Sequence, residues 1–89
     1  IVKCSFAEQA ARALKNLKAV VEAAGGSLNN AVKVTLYITD MNRFAEVNEV
    51  YARFFEEPYP ARACVEVAAL PKGVDVEVDA VVLLGGQKP

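Results

Sequence analysis

The apolar residues of this chain change their period partway along, and that change limits what the chain can fold into. Ala10, Ala13, Leu14, Leu17, Val20, Val21 and Ala24 recur at intervals of three and four, while Arg12, Lys15, Lys18 and Glu22 fall mainly elsewhere. That is the spacing of a helix with one buried face. Ser5 and Glu8 stand at the capping-box interval that opens such a helix, and Gly25-Gly26 ends it, because glycine accepts the left-handed conformation of a C-terminal cap. From Val32 to Thr39 the period falls to two, with Val32, Val34, Leu36 and Ile38 on one side and Lys33, Thr35, Tyr37 and Thr39 on the other, as in a half-buried strand. Asp40 is placed to cap a second helix, whose stripe Phe44, Val47, Tyr51, Phe54 and Phe55 runs until Pro58 and Pro60 forbid continuation. Two alternating, β-branched stretches follow, Ala61 to Val67 and Val74 to Leu84, divided by the turn residues Leu70-Pro71-Lys72-Gly73. The tail from Gly85 to Pro89 is expected to fray. The order helix, strand, helix, strand, strand predicts a two-layer α+β domain, a sheet with two helices on one face.

Composition bounds what such a domain does. At 89 residues the chain makes one domain, and a domain of this size buries only about 60–65% of its unfolded surface. With 54% hydrophobic residues, apolar surface is left over, and another copy is expected to cover the bare sheet face. Ten basic and eleven acidic residues give a net charge of −1, and the basic side chains are scattered along the sequence. No positive stripe for phosphates results, so nucleic acid is not an expected partner. The absence of His excludes Ser-His and Cys-His nucleophile pairs and imidazole metal ligands. Cys4 and Cys64 lack C-x-x-C spacing and are too few for a zinc site or a disulfide framework, so no metal is expected. No apolar run approaches the roughly 20 residues that span a bilayer, and no signal-peptide core opens the chain. A soluble, cytoplasmic protein with reduced thiols is the expectation.

The C-terminal strands carry the residues that bear on chemistry. Arg62, Cys64 and Glu66 share one side by alternation, and Asp75, Glu77 and Asp79 share one side of the next strand. If the strands pair antiparallel across the Pro-Gly turn with an odd residue sum, Arg62 and Cys64 fall opposite or diagonal to Glu77 and Asp79; an even sum separates them. On one reading Arg62 then makes an ordinary cross-strand ion pair on a solvated face. On the other, its planar fork clamps a carboxylate ligand while Glu77 holds or activates a water. Cys64, with no His or helix start beside it, has no visible means of becoming a thiolate. Asn48, on the second helix, is either a surface amide or a group that reaches a site.

The run Pro60-Ala61-Arg62-Ala63-Cys64-Val65-Glu66-Val67-Ala68-Ala69-Leu70-Pro71-Lys72-Gly73, with Val76-Glu77-Val78-Asp79-Ala80 after it, closely resembles the C-terminal signature of the RidA (YjgF/YER057c/UK114) family. Asp40 to Tyr51 and the helix ending Glu22-Ala23-Ala24-Gly25 resemble that family's middle segments. The resemblance implies a chorismate-mutase-like fold assembled as a homotrimer, with ligand pockets between subunits. It also implies hydrolysis of reactive enamines and imines, of the 2-aminoacrylate and 2-iminopropanoate type, to 2-oxo acids and ammonia, with no cofactor. By position in the motif, Arg62 corresponds to the family's carboxylate-binding arginine and Glu77 to the acidic residue that positions water. Cys64 and Asn48 correspond to substrate-pocket positions. Residues 1–89 read as a single RidA-like domain that lacks the N-terminal segment of family members, which supplies two strands and further pocket groups. Two other functions fit the same fold: a non-catalytic module that binds carboxylates or 2-oxo acids, and the RNA cleavage attributed to some relatives, which the acidic balance disfavours.

Overall fold

Ser5 opens the first helix as its spacing predicts. Its Oγ accepts from the Glu8 N–H at 3.1 Å, and the Glu8 carboxylate accepts from the Ser5 N–H at 3.1 Å, which satisfies donors that a helix start leaves free. In the computed structural model, which describes residues 5–57 and 59–84, this helix, α1, spans Phe6–Ala23. Gly25 ends it at φ +89°, its N–H donating to Glu22 C=O at 3.0 Å while Gly26 N–H donates to Val21 C=O at 2.9 Å. These are the paired bonds of a Schellman cap. Cys4, Pro58 and the tail from Gly85 to Pro89 lie outside the described residues.

A short turn, Leu28–Asn30, leads into strand β1, Ala31–Ile38. Val34, Leu36 and Ile38 are fully buried, as the alternation predicts. Val32 is a correction. A bulge between Ala31 and Lys33 shifts the phase by one residue, so Ala31 enters the core and Val32 turns to solvent. Asp40 does cap, accepting from the Asn42 N–H at 3.0 Å, but the turn it caps is the short segment Met41–Arg43. Helix α2 follows from Phe44 to Ala52, shorter than its apolar stripe implies. Phe55 lies past its end yet stays buried, its ring stacked on Tyr51 with centroids 4.6 Å apart.

Strands β2, Ala61–Glu66, and β3, Val76–Val82, do not pair with each other. The order is β2-β1-β3, with β2 parallel and β3 antiparallel to β1. Helix α2 supplies the crossover that a parallel pair requires, and the connection 67–75 is too long for a tight hairpin and carries the chain to the far edge of β1. Register then sorts the side chains. Val34 lies opposite Arg62 and Ala80, Leu36 opposite Cys64 and Val78, and Ile38 opposite Glu66 and Val76; this face carries both helices and the core. On the other face Lys33 lies opposite Ala61 and Val81, Thr35 opposite Ala63 and Asp79, and Tyr37 opposite Val65 and Glu77. No described element covers that face.

One polar knot ties the layers together. Asp75, nearly buried, accepts from Gln9 Nε2 at 3.0 Å and Thr39 Oγ1 at 2.9 Å, and its N–H donates to Gln9 Oε1 at 2.7 Å. The start of β3 is thereby joined to α1 and to the end of β1. Val20, placed by its spacing on the buried face of α1, is 66% exposed. It borders a groove between α1 and the outer edge of β3, where Val76, Glu77 and Val78 form the opposite wall. No helix among the described residues is long and apolar enough to cross a membrane.

Candidate functional site

The pairing of β2 with β1 decides where the sequence-predicted residues go. Arg62 shares neither a strand pair nor a face with Glu77 and Asp79. The cluster of guanidinium, thiol and two carboxylates therefore does not form within the chain, and neither does the cross-strand ion pair between Arg62 and either carboxylate. On the open face, Asp79 instead accepts from the Tyr37 hydroxyl at 3.1 Å. That bond, more than burial or the charges of Asp79 and Glu77, raises the Tyr37 pKa. Glu77 stands beside it, opposite Tyr37.

Arg62, on the helix-covered face of an edge strand, reaches α2. Its Nη1 donates to Asn48 Oδ1, and its guanidinium carbon lies 5.3 Å from the centroid of Phe44 and 5.0 Å from that of Tyr51, within cation–π range. Among the described residues no carboxylate lies within ion-pair distance of it. Asn48, Tyr51, Ala52, Tyr59, Pro60 and Arg62 surround a cleft of 390 Å³. Two of the four residues singled out in the sequence, Arg62 and Asn48, thus meet in one place. Cys64 sits two residues along β2, half-buried and packed on the core. Desolvation pushes its thiol pKa up, outweighing the opposite pull of Arg62, so the group stays a thiol at neutral pH.

By sequence, Phe44 and Tyr51 are only apolar stripe residues. The signal for more was present: 44, 48 and 51 follow the i, i+4, i+7 spacing of one helix face, with an amide between two aromatic residues. Tyr59 and Pro60 lie in the loop before β2, and no periodicity marks them. The Tyr51 hydroxyl is buried without a hydrogen-bond partner among the described residues. Desolvation raises its pKa, against a smaller opposing effect of Arg62, so it remains protonated at neutral pH. Taken together, the cleft offers a fixed cationic fork beside an amide and aromatic walls, chemistry suited to a small carboxylate. No group of three or more His, Cys, Asp or Glu side chains able to hold a metal occurs among the described residues.

Comparison with known proteins gives this arrangement a family. A family profile described as Endoribonuclease L-PSP matches residues 1–84. The chain is 56% identical over 77 residues to the RutC family protein y4sK of Sinorhizobium fredii, covering 86% of this chain and 61% of that protein. It is 45% identical over 85 residues to the human 2-iminobutanoate/2-iminopropanoate deaminase, covering 96% and 62% respectively. Among solved structures, E. coli TdcF with bound serine superposes with a TM-score of 0.85 at 45% identity, covering 93% of this chain and 68% of that one. The chain spans a little under two thirds of the length of the two protein relatives. Its fold, its motifs and these matches agree, and the chain belongs to the Endoribonuclease L-PSP family, the family that the sequence resembles under the name RidA.

Proposed function

We propose that the protein hydrolyses reactive 2-enamine and 2-imine acids, of the 2-aminoacrylate and 2-iminopropanoate type, to 2-oxo acids and ammonia. The observation that carries this reading is the Arg62 guanidinium, set in a cleft and bound to Asn48 but without a carboxylate partner among the described residues. A positive fork left unpaired at a cleft suits the carboxylate of a ligand. The deaminase name of the human relative supports the substrate class.

The chemistry asks little of the protein. Water adds to the C=N carbon, one of its protons passes to the nitrogen, and the resulting carbinolamine expels ammonia as the C=O bond forms. Fixing the imine through its carboxylate and presenting water from one direction supplies most of what such a step needs. Arg62 does the fixing, Asn48 holds Arg62, Cys64 lies two residues along the same strand as a neutral thiol, and Glu77 positions the water. Because Glu77 lies on the face opposite the cleft, it serves a bound imine only across an interface with another copy, and a homotrimer in which the open face of one copy packs against the β2 edge and cleft of the next would meet that need.

Arg62→Ala is expected to abolish turnover of 2-iminopropanoate generated in situ while leaving the circular dichroism spectrum and melting transition of the wild type. Unchanged turnover would sink the proposal. The separation of Arg62 from Glu77 within one chain favours a second reading, a non-catalytic module that binds 2-oxo acids. That reading predicts calorimetric binding of pyruvate without faster ammonia release.

A further inference from the structure

Arg62 lies over one stripe of α2. Phe44 and Tyr51 stand seven residues apart, about 10 Å along the axis at 1.5 Å per residue, and the guanidinium carbon is 5.3 Å from one ring centroid and 5.0 Å from the other. The group therefore lies at nearly equal distance from the two rings, with Asn48, on the same helix face between them, as its hydrogen-bond acceptor. An arginine on an exposed edge strand ordinarily samples many rotamers, at an entropy cost when it binds. Here two aromatic quadrupoles and an amide define one direction for the fork, and the remaining N–H donors are left to the cleft.

We infer that Phe44 and Tyr51 form an aromatic clamp that sets the direction of the Arg62 fork, making both of them positioning residues for carboxylate recognition. The inference rests on the proposed role of Arg62. The working part of each residue is the ring. The Tyr51 hydroxyl has no partner among the described residues, so its removal leaves the clamp intact. Phe44, half-buried at the start of α2, tolerates replacement more readily than Tyr51, which is 5% exposed and stacked on Phe55.

The test is calorimetric binding of pyruvate to the intact protein, together with steady-state kinetics on 2-iminopropanoate generated in situ. Phe44→Leu keeps apolar volume and removes the quadrupole; it is expected to weaken pyruvate about fivefold, the order of one cation–π contact, and to raise KM by the same factor with kcat unchanged. Phe44→Tyr and Tyr51→Phe are expected to bind as the wild type does, and Tyr51→Leu to weaken binding like Phe44→Leu. Should Tyr51→Leu fail to fold, the Phe44 pair decides the matter. Wild-type affinity in a folded Phe44→Leu protein overturns the clamp, as does a loss in Tyr51→Phe, which would assign the effect to the hydroxyl. If the wild type binds pyruvate and Arg62→Ala does not, failure of the clamp leaves the role of Arg62 standing. A wild type that does not bind pyruvate removes both.

Discussion

Tyr51 takes part in two balances. Its ring belongs to the core and to the surroundings of Arg62, while its buried hydroxyl finds no partner among the described residues. Burial raises its pKa, so the folded chain keeps a proton that the unfolded chain loses from about pH 10 upward. Stability from this source is fully present below the unfolded pKa and is lost as pH rises through the folded one. Tyr37, raised chiefly by its bond to Asp79, acts in the same direction. The midpoint of thermal unfolding is expected to fall from about pH 10 upward, and Tyr51→Phe to make that fall shallower; an identical alkaline profile in the variant would show that Tyr51 does not contribute. At this scale the sequence was partly legible. Arg62 stood out because a charge within an apolar alternation needs a reason. Its aromatic neighbours did not, because a ring that packs a core and a ring that faces a guanidinium occupy the same helical stripe.

The two ends of α1, whose causes are local, were readable in full. The Ser5 and Glu8 box and the Gly25 cap each lie within a few residues of the helix end they define, and both form as the spacing predicts. Gly25 lies at φ +89°, where a Cβ is unfavourable, and no atom would crowd an added methyl. Gly25→Ala is accordingly expected to destabilise by about 1 kcal/mol through backbone strain alone, measurable as a lower urea midpoint with an unchanged slope. Pairing partners were not legible, because they are set by contacts far apart in sequence. The turn at Pro71–Gly73 suggested a hairpin, yet β1 takes both neighbours, and the bulge at Val32 arises from the match between β1 and β3. The first of these facts moved Glu77 away from Arg62, and the second turned Val32 to solvent.

Among the described residues the sheet has one covered and one open face. The open face mixes Lys33, Thr35, Tyr37, Glu77 and Asp79 with Ala61, Ala63, Val65 and Val81, the last 57% exposed. Under the proposed homotrimer this surface is the contact between copies. Val81→Arg, which places a charge where that contact would be apolar, is expected to lower the solution molar mass to that of one chain and to remove deaminase activity with it. A monomeric wild type would end the trimer proposal before any variant is made. The cleft itself has a different grain. Its anchor, Arg62 with Asn48 and the two rings, stands on α2 and β2, whereas the far wall, Tyr59 and Pro60, belongs to the loop between them. Under the proposed function grip and shape are thus encoded in separate places, so that substitutions in that loop are expected to alter which side chains fit while the proposed means of holding a carboxylate passes on unaltered.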